Sequence, residues 1–169
     1  MSVTGRFLIR GTAEHAVGVP ENRTGTVSDY ISANYDFTNG VGSGQCDLAW
    51  SDRRQLAAGA TDTILLSGGG LTDPYGGAVN FVEVCGIIIR NRENVAGTRT
   101  LQFGPSGVQP FVWLFAAFTH RIVIVPASSY CAWSNEAQTV APGNDQIDII
   151  NTDGANTVDY DIFIIGRSA

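Results

Sequence analysis

An antiparallel β-sandwich is the fold class this sequence predicts, and three observations predict it. The inventory suits helices poorly, because 20 Gly, 6 Pro and 11 Asp stand against one Met and no Lys, and the first three rank below the last two in helices. Short runs rich in β-branched and aromatic residues recur along the chain with turn chemistry between them. No apolar stripe with a helical period persists for three turns. With 44% hydrophobic and 15% charged residues among 169, the chain is too apolar for disorder and sized for one core. The expected architecture is all-β: a jelly-roll-like sandwich over residues 45–169, preceded by an extended N-terminal arm over residues 1–44.

Taken in chain order, the strand-like runs are Arg6 to Arg10, Asp62 to Leu66, Val79 to Asn91, Thr98 to Phe103, Phe111 to Phe115, Arg121 to Val125, Gln146 to Asn151 and Thr157 to Ile165. Residues 11–44 are polar, with Val17, Val19, Val27, Tyr30, Ile31, Tyr35 and Phe37 scattered among Gly, Asn, Thr and Ser. So few apolar residues gain little by folding back alone, which predicts that a neighbouring subunit holds the arm. Gly40 to Gly44 lacks the Lys and following helix of a phosphate loop and reads as a joint. The best helix candidate is one short turn around Ser51-Asp52-Arg53-Arg54-Gln55.

Turns are expected at Gly68 to Gly70, Asp73 to Gly77, Gly104 to Gly107 and Pro142 to Asp145, where Gly, Pro and Asp supply the special φ values. Cys85, Ile87, Ile88 and Ile89 read as a central strand. Near the C-terminus, Ile147, Ile149, Val158, Tyr160, Ile162 and Ile164 alternate with Asp148, Asp159 and Asp161 around Asp153-Gly154. That pattern predicts a terminal hairpin with its acidic residues outward. Phe163, Ile164 and Ile165 then break the alternation, as a strand end buried on both faces does. The predicted core is Trp50, Ile64, Leu66, Phe81, Val84, Ile87, Ile89, Leu101, Phe103, Val123, Val125, Ile147, Ile149, Tyr160, Ile162 and Ile164.

Sixteen acidic residues against ten arginines give a formal charge of −6, the wrong sign for tracking phosphates, so nucleic acid is not an expected partner. Every positive side chain is a guanidinium, suited to bidentate pairing with carboxylates at interfaces. Arg6, Arg10, Arg53 and Arg54, with His15 in the arm, are the candidate partner-binding residues, and plain surface charge is an equal reading of them. Cys46, Cys85 and Cys131 are odd in number and form no C-x-x-C pair, which predicts buried free thiols in a reducing compartment. Met1 to Gly11 has no long apolar stretch of the signal-peptide kind. The run Phe111 to Val125 contains His120 and Arg121 and falls short of the ~20 residues of a membrane helix, so no membrane partner is expected.

Catalytic chemistry finds little support. His15 and His120 are the sole near-neutral bases, and no G-x-S-x-G elbow accompanies them. Asp159 and Asp161 share a strand face but read as a solvated acidic edge rather than a glycosidase pair. The set Asp145, Asp148, Asp153, Asp159 and Asp161 lacks EF-hand spacing. Neither an enzyme nor a cofactor nor a metal is expected. Trp113 reads as core or subunit interface, whereas Trp50 and Trp133 lie beside polar residues and allow an alternative, a sugar-stacking platform.

Several segments carry a resemblance: Thr38-Asn39-Gly40-Val41-Gly42 leading to Asp47 through Ala57, Leu71 to Gly76 with Val79-Asn80-Phe81, Gly86 to Asn91, Val123 to Pro126, and Tyr160 to Gly166. From Gln45 onward the chain resembles small proteins encoded near the major capsid protein of tailed bacteriophages and prophages. Departures are Ala127-Ser128-Ser129, where that pattern often has Gly-Gly after the Pro, and Arg6 to Tyr35, which matches no part of it. The resemblance implies a capsid decoration or cement protein: a β-sandwich virion component on the outer shell, often a homotrimer, binding the major capsid protein and stapling neighbouring capsomers. The runner-up is a head-fibre or carbohydrate-binding module for host-surface glycans that uses Trp50 and Trp133.

Overall fold

The computed structural model describes residues 5–19, 23–73, 75–94, 99–113 and 119–169, and every regular element among them is a β-strand. In chain order these are β1 (Gly5–Val19), β2 (Arg23–Phe37), β3 (Leu48–Leu56), β4 (Thr61–Leu65), β5 (Leu71–Thr72), β6 (Ala78–Val79), β7 (Glu83–Asn91), β8 (Leu101–Pro105), β9 (Ile122–Ile124), β10 (Ser129–Thr139), β11 (Gln146–Asn151) and β12 (Val158–Arg167). Eight of them build two antiparallel four-stranded sheets, β10-β7-β12-β3 and β4-β11-β8-β9, packed face to face. β5 and β6 form a small hairpin, and β1 and β2 form a separate two-stranded ribbon.

The pairings are nested. β3 pairs with β12, β4 with β11, β7 with β10 and β8 with β9. The chain therefore runs out through four strands and returns antiparallel along them, and the β12–β7 and β11–β8 pairings complete each sheet. Side chains alternate with period two, so Val158, Tyr160, Ile162 and Ile164 of one sheet meet Ile64, Phe103, Ile147 and Ile149 of the other in one continuous core. Each fully buried side chain of this size contributes about 1.5–3 kcal/mol relative to leaving it in water.

Several expectations are corrected. Val123 and Val125 are 57% and 52% exposed, because Ile124 between them is the residue that faces the core opposite Leu101. The segment Ser51 to Gln55 is strand, not helix: β3 lies along β12, with Trp50 and Leu56 turned inward. β11 and β12 are strands but not each other's partners; they lie in different sheets, and the Asp153-Gly154 loop crosses between them. Asn151 holds that crossing, donating its Nδ2 to the carbonyls of Ala57 (2.9 Å) and Asn156 (2.8 Å). Asp148 does not face solvent; it is buried, accepting from Thr63 Oγ1 at 2.8 Å with Arg121 at 3.7 Å. The run Val79 to Asn91 divides into β6 and β7, and β10 was not anticipated because a register shift between Trp133 and Gln138 erases its alternation. Phe111 is buried outside any strand. Residues 114 and 115, the end of that expected strand, and Thr98 lie outside the described residues. All three cysteines are free, and Cys46 and Cys85 are buried as expected, whereas Cys131 is only half-buried.

At one end of the sandwich Tyr160 donates its hydroxyl to Asp62, which also receives Arg54 Nη1 on both oxygens at 3.0 and 2.9 Å. Burial, reinforced by this hydrogen bond, pushes the Tyr160 phenol well above its ordinary value of 10.0. Below pH 10 its contribution to stability is fully present. Above it the unfolded chain ionises while the native phenol stays neutral, so stability falls as pH rises, by at most about 1.4 kcal/mol per pH unit. Urea unfolding between pH 8 and 11 is expected to show this decline, to which the raised Cys46, Cys131 and Tyr130 groups add, and Tyr160→Phe is expected to make it shallower above pH 10; an equally steep decline in the variant would assign it to the other groups.

Candidate functional site

The outer face of the β10-β7-β12-β3 sheet gathers the chemistry that the fold leaves available. Cross-strand register lays it out in rungs. The first holds Trp133, Gly86, Ile165 and Ala49, the second Cys131, Ile88, Phe163 and Ser51, and the third Ser129, Arg90, Asp161 and Arg53. Two rungs are thus mainly apolar and the third is charged. Ile88, Phe163 and Cys131 are half-buried and pack with Ile165 and Cys85 as a second cluster on the far side of the sheet from the core. A concavity of about 560 Å³ lies over the second and third rungs.

The root of the β1–β2 ribbon is seated on the first rung. Phe37, at the end of β2, stacks on the Trp133 indole with ring centroids 5.5 Å apart. Gly86 lies against the indole as well: a Cβ there would sit 2.8 Å from a ring carbon, so only Gly lets the indole lie this close to the strand. After Phe37 the chain turns through a short loop, in which Gly42 N–H donates to Gln45 Oε1 (3.0 Å) and Cys46 N–H to the Thr38 carbonyl (3.0 Å). Gly40 and Gly44 take positive φ there. The Cys46 side chain packs with Cys85 in the second cluster, and that neighbouring thiol together with burial pushes the Cys46 thiol up.

On the third rung Asp161 accepts from Arg53 Nε at 2.9 Å and lies 3.4 Å from Arg92 Nε. Arg90, between Asp161 and Ser129 in register, is exposed and forms no ion pair among the described residues. Nearby, the Arg99 guanidinium holds the Glu93 carboxyl below the ordinary range, helped by the Asp159 backbone N–H.

The predicted partner-binding residues do not converge. Arg53 reaches the outer face, whereas Arg54 is spent within the chain on Asp62 and Asp52, with its guanidinium 5.3 Å from the Trp50 ring centre. Arg6 pairs across the ribbon with Asp36, which holds that carboxyl below its ordinary value. Arg10 and His15 lie in β1 opposite Ser32 and Val27. Neither candidate tryptophan offers an open stacking face: Trp50 is 4% exposed and donates its Nε1 to the Thr72 carbonyl at 3.2 Å, and Trp133 lies between Phe37 and Gly86. Trp113 is half-buried against Phe111, and His120 is exposed just before β9.

Asp145 accepts from Ser67, and Asp153 from Asn156, within the fold. No group of three or more His, Cys, Asp or Glu among the described residues is placed to hold a metal ion. No helix among them is long and apolar enough to cross a membrane. Arg90, Ile88 and Phe163 are the surface residues that sequence reasoning missed. For Ile88 and Arg90 the signal is their spacing of two within Gly86 to Asn91, which says that they share a face; that Phe163 joins them follows only from the pairing of β12 with β7. No family model and no curated protein matches this chain.

Proposed function

We propose that this chain is a structural component of a tailed-phage particle that decorates and cements the capsid shell, without catalytic chemistry or a cofactor of its own. The observation that carries the proposal is the N-terminal ribbon. β1 and β2 pair with each other over 15 residues each, about 50 Å at ~3.4 Å per residue, and among the described residues they form a sheet of their own rather than joining either sheet of the sandwich. A two-stranded ribbon alone is marginal in water, so one of this length is built to be covered by another molecule.

Its register supports that use. The odd-numbered positions, one face, carry Phe7, Ile9, Val17, Val19, Val27, Ile31, Tyr35 and Phe37 together with His15, Arg23 and Asp29; the even-numbered face carries Arg6, Arg10, Glu14, Ser28, Asn34 and Asp36 together with Leu8 and Tyr30. The nested strand order is the one expected of a jelly roll and supports that reading of the sandwich. In this proposal the protein sits on the outer capsid surface as a homotrimer, its ribbon reaching the major capsid protein and its own neighbours. Repeated symmetric contacts then multiply weak ones. The glycan alternative loses the two tryptophans on which it rested.

The test is particle reconstruction by electron cryomicroscopy together with the heat tolerance of particles made without this chain. Copies at regular lattice positions and earlier rupture of the deficient particles are expected. Absence from particles, presence at a few vertices alone, or unchanged rupture temperature would remove the cementing role.

A further inference from the structure

Two of the three cysteines are brought together by an irregularity in the sheet. Along β7, Ile87 and Ile89 point into the core, and strict alternation would send Cys85 in with them. Pairing prevents this. On β12 the register steps from Gly86 opposite Ile165 to Val84 opposite Gly166, and on β10 it passes from Gly86 opposite Trp133 to Val84 opposite Gln138. Cys85 is skipped by both neighbours, so it is the extra residue of a β-bulge. The bulge leaves Val84 in the core and puts Cys85 in the outer cluster with Phe37, Cys46 and Ile165. There Cys85 Sγ lies 3.8 Å from the Gln45 carbonyl oxygen, on the peptide that joins Gln45 to Cys46. Cys46 is fixed from its own side, with its N–H on the Thr38 carbonyl at 3.0 Å and the Asp47 N–H on the Gly166 carbonyl at 3.1 Å. Both thiols are free, at 0% and 1% exposure.

We propose that Cys46 and Cys85 are an oxidisable pair that a small hydroperoxide converts to a disulfide, fastening the root of the β1–β2 ribbon covalently to the central strand β7. The surroundings assign the two roles. Arg167, itself buried, donates its Nε to the same Gln45 carbonyl at 3.0 Å. The neighbouring Cys46 thiol and this guanidinium hold the Cys85 thiol below its ordinary value of 9.0, whereas Cys46 is pushed up. Cys85 is therefore the nucleophile and Cys46 the resolving thiol. The Cys85 thiolate attacks one peroxide oxygen and the O–O bond breaks, giving a sulfenic acid and hydroxide, which takes up the Cys85 proton as water. Cys46 sulfur then attacks Cys85 sulfur; the S–O bond breaks, the S–S bond forms, and the Cys46 proton leaves with the hydroxyl as a second water. The two sulfurs lose two electrons and the peroxide gains them. Burial selects the oxidant, because a molecule little larger than water enters where a bulky disulfide does not. The new bond closes a loop of about 40 residues, long enough to restrict the unfolded chain substantially.

Oxidation of the purified full-length chain, without particles, tests this independently of the capsid reading. The reduced protein is treated with hydrogen peroxide, unfolded in excess alkylating reagent, digested and mapped by mass spectrometry. Titratable thiols are expected to fall from three per chain to one, with a mass loss of about 2 Da and one linked peptide pair that joins Cys46 to Cys85 and opens with dithiothreitol. The linked chain is expected to melt at least about 5 °C above the reduced one. Cys46→Ser is expected to leave Cys85 as a sulfenic acid that dimedone traps, and Cys131→Ser to change none of these results. The map is taken on the unsubstituted chain, so a variant that does not fold leaves the test intact. Three unmodified thiols after peroxide, a link through Cys131, sulfinic acid without a link, or a linked chain that melts no higher than the reduced one would overturn the proposal.

Discussion

Gly166→Ala is expected to lose about 3–4 kcal/mol of stability, since a Cβ meets backbone there more closely than at any of the described glycines from Gly40 to Gly154. At Gly166 a Cβ would overlap the Glu83 carbonyl oxygen and come within 2.7 Å of Phe81 Cδ1. The obstacle is backbone, so no side-chain rotation relieves it. The β12–β7 register shifts between Ile165 and Gly166, and the close approach lets Val82 N–H donate to the Arg167 carbonyl at 2.9 Å and Asp47 N–H to the Gly166 carbonyl at 3.1 Å. Moving β12 away to admit a methyl would loosen both bonds and uncover the fully buried Phe81. Urea unfolding measures the loss, with Gly107→Ala as control, where an added Cβ meets nothing within 4 Å. A control change within about 0.5 kcal/mol and a Gly166→Ala midpoint far below wild type are expected. Equal midpoints would mean that the strands are not held this close.

Deletion of residues 2–36 is expected to leave the sandwich folded, with its unfolding free energy within about 1 kcal/mol of the full chain, yet to abolish coating of capsids. The two halves of that expectation have separate causes. Stability persists because the ribbon shares no sheet with the sandwich and Phe37, the residue that covers Trp133, is retained. Coating is lost because, in the proposed function, the ribbon is the surface that other molecules cover, and what remains is an acidic sandwich with few exposed apolar side chains. Circular dichroism and urea unfolding measure the first half; pelleting with capsids that lack the protein measures the second. Coating by the truncated chain would move the contact onto the sandwich, and a truncated chain that cannot fold would make the ribbon part of the core.

Stability, core and contact surface were legible to different depths. Alternation over Val158 to Ile164 and over Ile147 to Ile149 reads as strand because period-two burial is a local property that pairing later satisfies. Ser51 to Gln55 reads as a polar turn because its charges belong to the exposed side of a strand whose burial comes from Trp50 and Leu56 at its ends. Val123 and Val125 were placed in the core because a run of four β-branched residues does not reveal which parity faces inward; pairing of Ile124 with Leu101 does. Arg53 and Arg54 are adjacent and chemically identical, yet consecutive strand positions point to opposite faces. One therefore meets Asp161 outside and the other joins Asp62 and Tyr160 between the sheets.

By itself the sequence determined the class of fold, the central positions of β7 and β12, the free thiols and most of the core, because composition and local periodicity act through neighbours along the chain. Tertiary structure alone decided the rest. The crossing of β11 and β12 into opposite sheets, the indole seated on Gly86 beneath Phe37, and the isolation of Arg90 beside an already paired Asp161 all depend on register between strands far apart in sequence. Register follows from the summed burial of both faces of every strand at once, and no segment carries that sum alone.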